Sequence, residues 1–166
     1  NNMIAQELLN PKSIVVIGAS SDTQKPGGSV LRNLINSNFK GDIYTVNPKE
    51  IEVQGIKCFQ KVDDLPQVDC AIIAIAAKYC PATVNTLAFE KGTKGFIIVS
   101  AGFSEENEQG AEFERQIVET INKVGGSLIG PNCTGFLNRN YCGAFDSPIP
   151  TLDPHGVDFV TGSGAT

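Results

Sequence analysis

The chain contains no tryptophan, one histidine and one methionine, and only 7% of its 166 residues are aromatic. A core built from this sequence must therefore be aliphatic, made mostly of Ile, Val, Leu and Ala. The sequence has no signal peptide and no apolar run of about 18 residues, so it predicts no membrane-spanning helix. These absences favour a cytoplasmic protein with reduced cysteines.

Patterns typical of metal and nucleic-acid sites are also missing. None of the five cysteines forms a Cys-x-x-Cys pair, and with a single histidine they do not predict a zinc site. The net charge is −5, which argues against a nucleic-acid surface. The net negative charge lies in residues 101–166, which hold 9 Asp+Glu and 3 Lys+Arg, and a solvated acidic helix accounts for much of it. An anionic ligand would bind more easily to residues 1–100.

Short apolar runs alternate with segments of helical periodicity as far as Ile129. Strands are predicted over 13–17, 43–46, 70–76, 96–99 and 127–129, and helices over 28–37, 82–90 and from an N-cap at Ser104 to Gly125. This alternation predicts an α/β fold, a Rossmann-like parallel sheet with helices on both faces in a three-layer sandwich.

The pattern changes after Asn132. Residues 133–156 are rich in Gly, Pro, Asn and Asp and have no helical period, and a new apolar strand is predicted over 157–160. We expect residues 1–145 to form one domain and residues 146–166 to be a linker and the first strand of a truncated second domain. A sixth strand added to the same sheet is the alternative.

The segments that follow the predicted strands are the candidate ligand site, because open parallel sheets bind ligands beyond the carboxyl ends of their strands. Small residues there allow close approach to the backbone, and Ser and Asn offer hydrogen bonds. The candidates are Gly18, Ala19, Ser20, Ser21, Asn47, Pro48, Lys49, Ala76, Ser100, Ala101 and Asn132. Lys25 and Lys49 could meet phosphate charge.

The run IVVIGASS at Ile14–Ser21 predicts a buried strand that delivers a tight turn beneath a phosphate-bearing ligand. It is not a GxGxxG fingerprint, because the glycines that follow Gly18 are Gly27 and Gly28. Lys49 stands where an NAD site would place an acid, and the GK[ST] of a P-loop is absent. The residues alone favour a phosphorylated, adenine-type ligand.

Five ordered segments resemble the CoA-binding domain of nucleoside-diphosphate-forming acyl-CoA synthetases. This family includes the succinyl-CoA synthetase alpha subunit and the ADP-forming acetate–CoA ligases. The segments are 16–20, 46–49, 53–57, 99–103 and 129–133. The resemblance implies that the chain is the CoA-binding portion of a synthetase that joins a carboxylic acid to CoA through an acyl phosphate and a phosphohistidine, coupled to ATP/ADP.

The same resemblance implies roles for individual residues. Gly18–Ser21 would wrap the CoA phosphates, Lys49 would pair with one of them, and Ala76 and Val99–Ala101 would line the path of CoA. The turn at 130–132 would lie near the reacting phosphohistidine. ATP or ADP and Mg would bind an ATP-grasp domain or subunit outside this chain, and the full protein would be an oligomer.

The phosphohistidine itself is expected beyond residue 166, in the second, ligase domain. His155 precedes the predicted second-domain strand and is expected to be an exposed linker residue, and Cys133 is expected to be structural. The chain should therefore bind CoA without completing the reaction, and we assign it no catalytic residue. Two other functions stay open: a stand-alone CoA-binding module with a regulatory or carrier role, and an NAD(P)-binding redox domain.

Overall fold

A computed structural model of the chain describes residues 3–145; the linker and strand predicted within 146–166, His155 included, lie outside the described residues. In chain order the helices and strands are α1 (Gln6–Leu9), β1 (Ser13–Ile17), α2 (Pro26–Asn36), β2 (Asp42–Val46), β3 (Glu52–Val53), β4 (Ile56–Phe59), β5 (Cys70–Ile73), α3 (Cys80–Glu90), β6 (Gly95–Ile98), α4 (Glu108–Lys123), β7 (Ser127–Ile129), β8 (Gly135–Leu137) and β9 (Cys142–Ala144). Among the helices described, none is long and apolar enough to cross a bilayer.

The sheet is almost entirely parallel. Its strand order is β3-β4-β2-β1-β5-β6-β7, and only the short edge strand β3 runs antiparallel to its neighbour. Strand β1 lies at the centre, with Ser13 opposite Asp42 of β2 and Ile14 opposite Cys70 of β5. The chain adds strands on one side of β1 and then crosses to the other, so the strand order reverses between β1 and β5. The predicted Rossmann-like α/β sheet is confirmed.

The central strands β1, β5 and β6 are buried on both faces, which explains why they are continuous apolar runs. Ile14 and Val16 point to the face covered by α1, α2 and the β8–β9 hairpin. Val15 and Ile17 point to the opposite face, which α3 and α4 cover. The three layers follow from the two-residue period of side chains along a strand.

The long helix α4 begins later than the sequence suggests, and the expected N-cap at Ser104 is wrong. Asn107 is the N-cap, and its Oδ1 accepts a hydrogen bond of 2.8 Å from the Gly110 N–H. The Glu105 carboxylate instead accepts hydrogen bonds from the backbone N–H groups of Gly102, at 2.6 Å, and Phe103, at 3.0 Å. These bonds close a turn before the helix starts.

The segment after Asn132 folds back over the sheet as the β8–β9 hairpin. The Tyr141 hydroxyl donates a hydrogen bond of 2.6 Å to the carbonyl oxygen of Leu8 in α1, and Asn33 Nδ2 in α2 donates one of 2.8 Å to the carbonyl oxygen of Ala144. The hairpin therefore completes the layer that α2 begins, and belongs to the same domain.

Candidate functional site

All of the predicted ligand-binding segments lie at one edge of the sheet. Residues 18–21, 47–49, 76, 99–101 and 130–132 follow the carboxyl ends of β1, β2, β5, β6 and β7 respectively. The expected β5 strand over 70–76 ends at Ile73, so Ala76 stands in the loop that follows rather than in the sheet. Parallel strands bring these loops together around the point where the strand order reverses.

A cleft of about 450 Å³ opens between the loops that follow β5, β6 and β7. Five of the predicted residues line it: Ala76, Val99, Ser100, Ala101 and Asn132. Five others that the sequence did not single out as ligand contacts complete the wall: Pro26, Ala74, Ile75, Cys133 and Phe145. Most of these side chains are apolar, and Ser100 and Asn132 supply the polar groups of the lining.

The loop after β1 packs tightly against the loop after β5 and against the start of α2 because two glycines lack side chains. Gly18 has a φ of +86°, and a Cβ there would collide with the carbonyl oxygen of Ala74. A Cβ on Gly27 would collide with the carbonyl oxygen of Gly18. Gly27 thus allows the close contact of strand and helix that a glycine of the GxGxxG fingerprint would allow, but at a different spacing.

Two amide side chains fix this loop from the side of β2. Asn47 Nδ2 donates a hydrogen bond of 2.8 Å to the carbonyl oxygen of Ala19. Gln54 Nε2, in the turn between β3 and β4, donates bonds of 2.9 Å and 3.0 Å to the carbonyl oxygens of Ser20 and Gly28. The sequence did not predict that Gln54 would contact this loop, because its hydrogen-bond partners are 34 and 26 residues away in the chain.

The first turn of α2, where Gly27 and Gly28 are buried against the loop, has no capping side chain. Its N-cap Lys25 makes no side-chain capping bond, and the turn contains no acidic residue. The first N–H groups of a helix have no partners within the helix, and with the helix dipole they favour an anion. The carboxylate of Asp22 accepts the Gln24 N–H at 2.9 Å, so this acid stabilises its own turn.

The two predicted phosphate-binding lysines are exposed, and in the described part of the chain neither makes a side-chain hydrogen bond or ion pair. Lys25 precedes α2, and Lys49 follows β2 beside the exposed Pro48. Asn47 Oδ1 accepts the backbone N–H of Lys49 at 2.8 Å, which fixes where that side chain begins. Asn47, Pro48 and Lys49 do not line the cleft, because β2 lies on the far side of β1 from it. Lys25 does not line it either, although its neighbour Pro26 does.

The far wall of the cleft is built from the loop after β7. Asn132 has a φ of +55°, and its backbone N–H donates a bond of 2.9 Å to the carbonyl oxygen of Ser100. Cys133 Sγ lies 3.3 Å from the carbonyl oxygen of Ile98, and burial raises the pKa of this thiol. A buried protonated thiol is a poor nucleophile, which supports a structural role for Cys133.

Residues 3–145 hold no group of three or more His, Cys, Asp or Glu suited to a metal ion.

Comparison with known proteins identifies one family. Residues 12–139 match the CoA binding domain family. The chain is 47% identical over 134 residues to acetate–CoA ligase (ADP-forming) II of Archaeoglobus fulgidus, covering 80% of this chain and 20% of that protein. It is 40% identical over 158 residues to acetate–CoA ligase (ADP-forming) II subunit alpha of Pyrococcus furiosus, covering 94% of this chain and 34% of that subunit.

A solved structure shows the same architecture. It is the dinucleotide-forming acetyl-coenzyme A synthetase 1 of Ca. Korarchaeum cryptofilum in complex with phosphate and ADP, with a TM-score of 0.79 and 33% sequence identity. The match covers 89% of this chain and 32% of that one. This chain thus spans about a fifth to a third of the length of these relatives. The matched residues include the loops after β1, β2, β5, β6 and β7, and the chain belongs to the CoA binding domain family.

Proposed function

We propose that the chain binds coenzyme A across the carboxyl edge of its sheet, with the phosphates on the loop at Gly18–Ser21. The proposal is carried by three structural features that lie together at the carboxyl edge of the sheet. These are a backbone loop fixed by Asn47 and Gln54, a helix start without a side-chain cap, and a cleft of about 450 Å³ beside them. Lys25 and Lys49 supply positive charge on the same side.

The two parts of the site suit the two parts of coenzyme A. The phosphorylated adenosine end needs cations and N–H donors, which the loop, the start of α2 and the two lysines offer. The pantetheine arm is slender and carries amides. It suits a cleft with small apolar walls such as Ala76 and Val99 and with polar groups at Ser100 and Asn132. Ala101 completes that wall, so CoA would run from Lys49 across β1 to Asn132.

The chain would serve as the CoA-binding portion of an acyl-CoA synthetase that forms a nucleoside diphosphate. This rests on relatives named as ADP-forming acetate–CoA ligases, one of them an alpha subunit. In this proposal a carboxylic acid is joined to CoA through an acyl phosphate and a phosphohistidine. An ATP-grasp domain or subunit outside this chain supplies ATP/ADP and Mg, in an oligomeric, cytoplasmic protein. We also propose the domain division at 145/146, supported by the family match and by a hairpin that ends at Ala144.

Isothermal titration calorimetry of the 166-residue chain tests the ligand directly. We expect saturable binding of CoA, weaker binding of 3′-dephospho-CoA because one phosphate is lost, and no binding of NADH. The comparison with dephospho-CoA shows whether the cations recognise the phosphates. Binding of NADH without binding of CoA would overturn the proposal and favour a redox domain.

A further inference from the structure

A second concavity lies at the opposite, amino edge of the sheet. Its volume is about 600 Å³, within the usual range for small-molecule sites and larger than the proposed CoA cleft. Three separate segments line it: residues 10–12 before β1, residues 37–42 between α2 and β2, and Arg139 with Asn140 between β8 and β9. The five residues of β1 at about 3.3 Å each place it roughly 17 Å from the Gly18 loop.

Hydrogen bonds hold the three segments in place. The backbone N–H of Asp42 donates to the carbonyl oxygen of Lys12 at 3.1 Å, and Asn140 Nδ2 donates to the carbonyl oxygen of Leu9 at 2.9 Å. The Lys12 N–H donates to Asp69 Oδ2 at 2.8 Å. Gly41 packs so closely that a Cβ would collide with the carbonyl oxygen of Lys12. The concavity is therefore formed before any ligand arrives.

The charge of this concavity is opposite to that of the chain. The lining residues include three cations, Lys12, Lys40 and Arg139, and one acid, Asp42, in a protein whose net charge is −5. The Asp69 carboxylate, which accepts the Lys12 N–H, is a second acid beside the lining. Within residues 3–145, neither Lys12 nor Lys40 takes part in an ion pair, and neither does Asp42. Cations gathered in a concave surface focus the field and attract anions.

The remaining lining offers more than charge. The Asp42 carboxylate and the side-chain amides of Asn10 and Asn38 are suited to ligand hydroxyls. Phe39 supplies an apolar wall and is held edge-on against Tyr141, with ring centroids 6.2 Å apart. Cations, hydroxyl partners and one aromatic face together are the groups that recognise a phosphorylated polyol.

We propose that this concavity, formed by residues 10–12, 37–42 and 139–140, binds a small hydroxylated phosphate ester. The site is separate from the CoA edge and does not depend on CoA binding. The phosphate would be held by Lys12, Lys40 and Arg139, and the hydroxyls by Asp42 and the neighbouring amides. Free inorganic phosphate shares the anionic chemistry but lacks the hydroxyls.

The test uses fructose 1,6-bisphosphate, inorganic phosphate and fructose as probes, with amide chemical shifts of the 166-residue chain as the readout. We expect saturable shifts at Lys40, Gly41 and Asn140 with the bisphosphate, weaker binding of phosphate and none of fructose. Lys40→Glu should lower the affinity for the bisphosphate about tenfold, because a charge-assisted contact becomes repulsive. Lys123→Glu makes the same charge change on the exposed surface of α4 and should leave the affinity within about twofold.

The Asp42→Asn variant distinguishes the effect of the Asp42 charge on phosphate binding from its proposed role in binding the ligand hydroxyls. It should tighten inorganic phosphate binding and reduce the preference for the bisphosphate over phosphate. The affinity of Lys40→Glu for CoA should equal that of the unmodified chain, which keeps this test independent of the CoA proposal. Absence of saturable shifts at these residues, equal affinity for phosphate and bisphosphate, or an equal loss in Lys123→Glu would each overturn the proposal.

Discussion

Asn47 Nδ2 donates a hydrogen bond of 2.8 Å to the carbonyl oxygen of Ala19, and this bond joins the loop after β2 to the loop after β1. The other end of the same side chain accepts the Lys49 N–H at 2.8 Å. A single half-buried amide therefore fixes the backbone of both segments to which phosphate binding is assigned.

Replacing Asn47 by Ala should weaken both folding and ligand binding. We expect the free energy of unfolding to fall by about 1–2 kcal/mol, because two backbone hydrogen bonds lose their partner. The affinity for CoA should fall about fivefold or more, since the loop and Lys49 are then less well positioned. Urea unfolding and calorimetry measure the two effects. Asn122→Ala on the exposed face of α4 is the control, and an unchanged CoA affinity in Asn47→Ala would contradict the assigned role.

Gly18→Ala and Gly55→Ala form a matched pair, because both glycines have a φ near +85° but differ in the space around them. The φ values are +86° and +83°, and a Cβ on Gly55 would meet nothing within 4 Å. Gly55→Ala should cost about 1 kcal/mol of unfolding free energy from the left-handed backbone alone. Gly18→Ala adds a collision with Ala74 and should cost about 3 kcal/mol or more. Equal losses in urea unfolding would show that the contact with Ala74 relaxes without cost.

Lys49→Glu should weaken CoA binding by about 1–3 kcal/mol, because a charge-assisted phosphate contact becomes a repulsion. The loss should shrink as salt is raised, since exposed charges are screened over about 8–10 Å at 0.10–0.15 M salt. Lys123→Glu is again the control for net charge. Calorimetry at two salt concentrations measures the difference. If Lys49→Glu and Lys123→Glu bind CoA equally well, Lys49 is only a solvated surface lysine.

Two strand-to-loop boundaries, at the ends of β1 and β7, were predictable because they depend on local chemistry. Strand β1 over Ser13–Ile17 and strand β7 over Ser127–Ile129 agree with the sequence prediction at both ends, since each apolar run stops at a glycine with positive φ. The cleft residues Ala76, Ser100 and Asn132 follow from the same rule, because parallel strands place their carboxyl ends at one edge.

Two of the contacts that the sequence did not reveal are long-range. Gln54 reaches Ser20 across 34 residues, and Phe145 enters the cleft wall only because its hairpin packs on α2. No local sequence pattern predicts such contacts between residues that are far apart in the chain. The N-cap was misplaced because Ser104 and Asn107 are both good caps by type. In the structure the Glu105 carboxylate closes a turn at Gly102 and Phe103, and the helix begins after Asn107.

The buried cysteines should make the protein less stable at alkaline pH. Burial raises the pKa of Cys70 and of Cys80 from 9.0 to about 12. Above pH 9 the unfolded chain releases these thiol protons while the native chain retains them. The stabilisation is therefore complete below about pH 9 and is lost progressively as the pH rises toward 12. The buried Tyr141 phenol, whose pKa burial raises well above 10.0, acts in the same direction.

Urea unfolding between pH 8 and pH 11 measures this decline, and Cys70→Ala identifies the contribution of one thiol. The variant should be less stable at pH 8 by about 1–2 kcal/mol, because it leaves a small cavity beside Tyr141. Its stability should then fall less steeply with pH than that of the unmodified chain, because one ionising group is gone. At pH 8 the native thiols of Cys70 and Cys80 should also resist a thiol reagent that labels them after unfolding. If the free energies of unfolding of Cys70→Ala and of the unmodified chain fall in parallel with pH, Cys70 ionises as readily in the native chain as in the unfolded one.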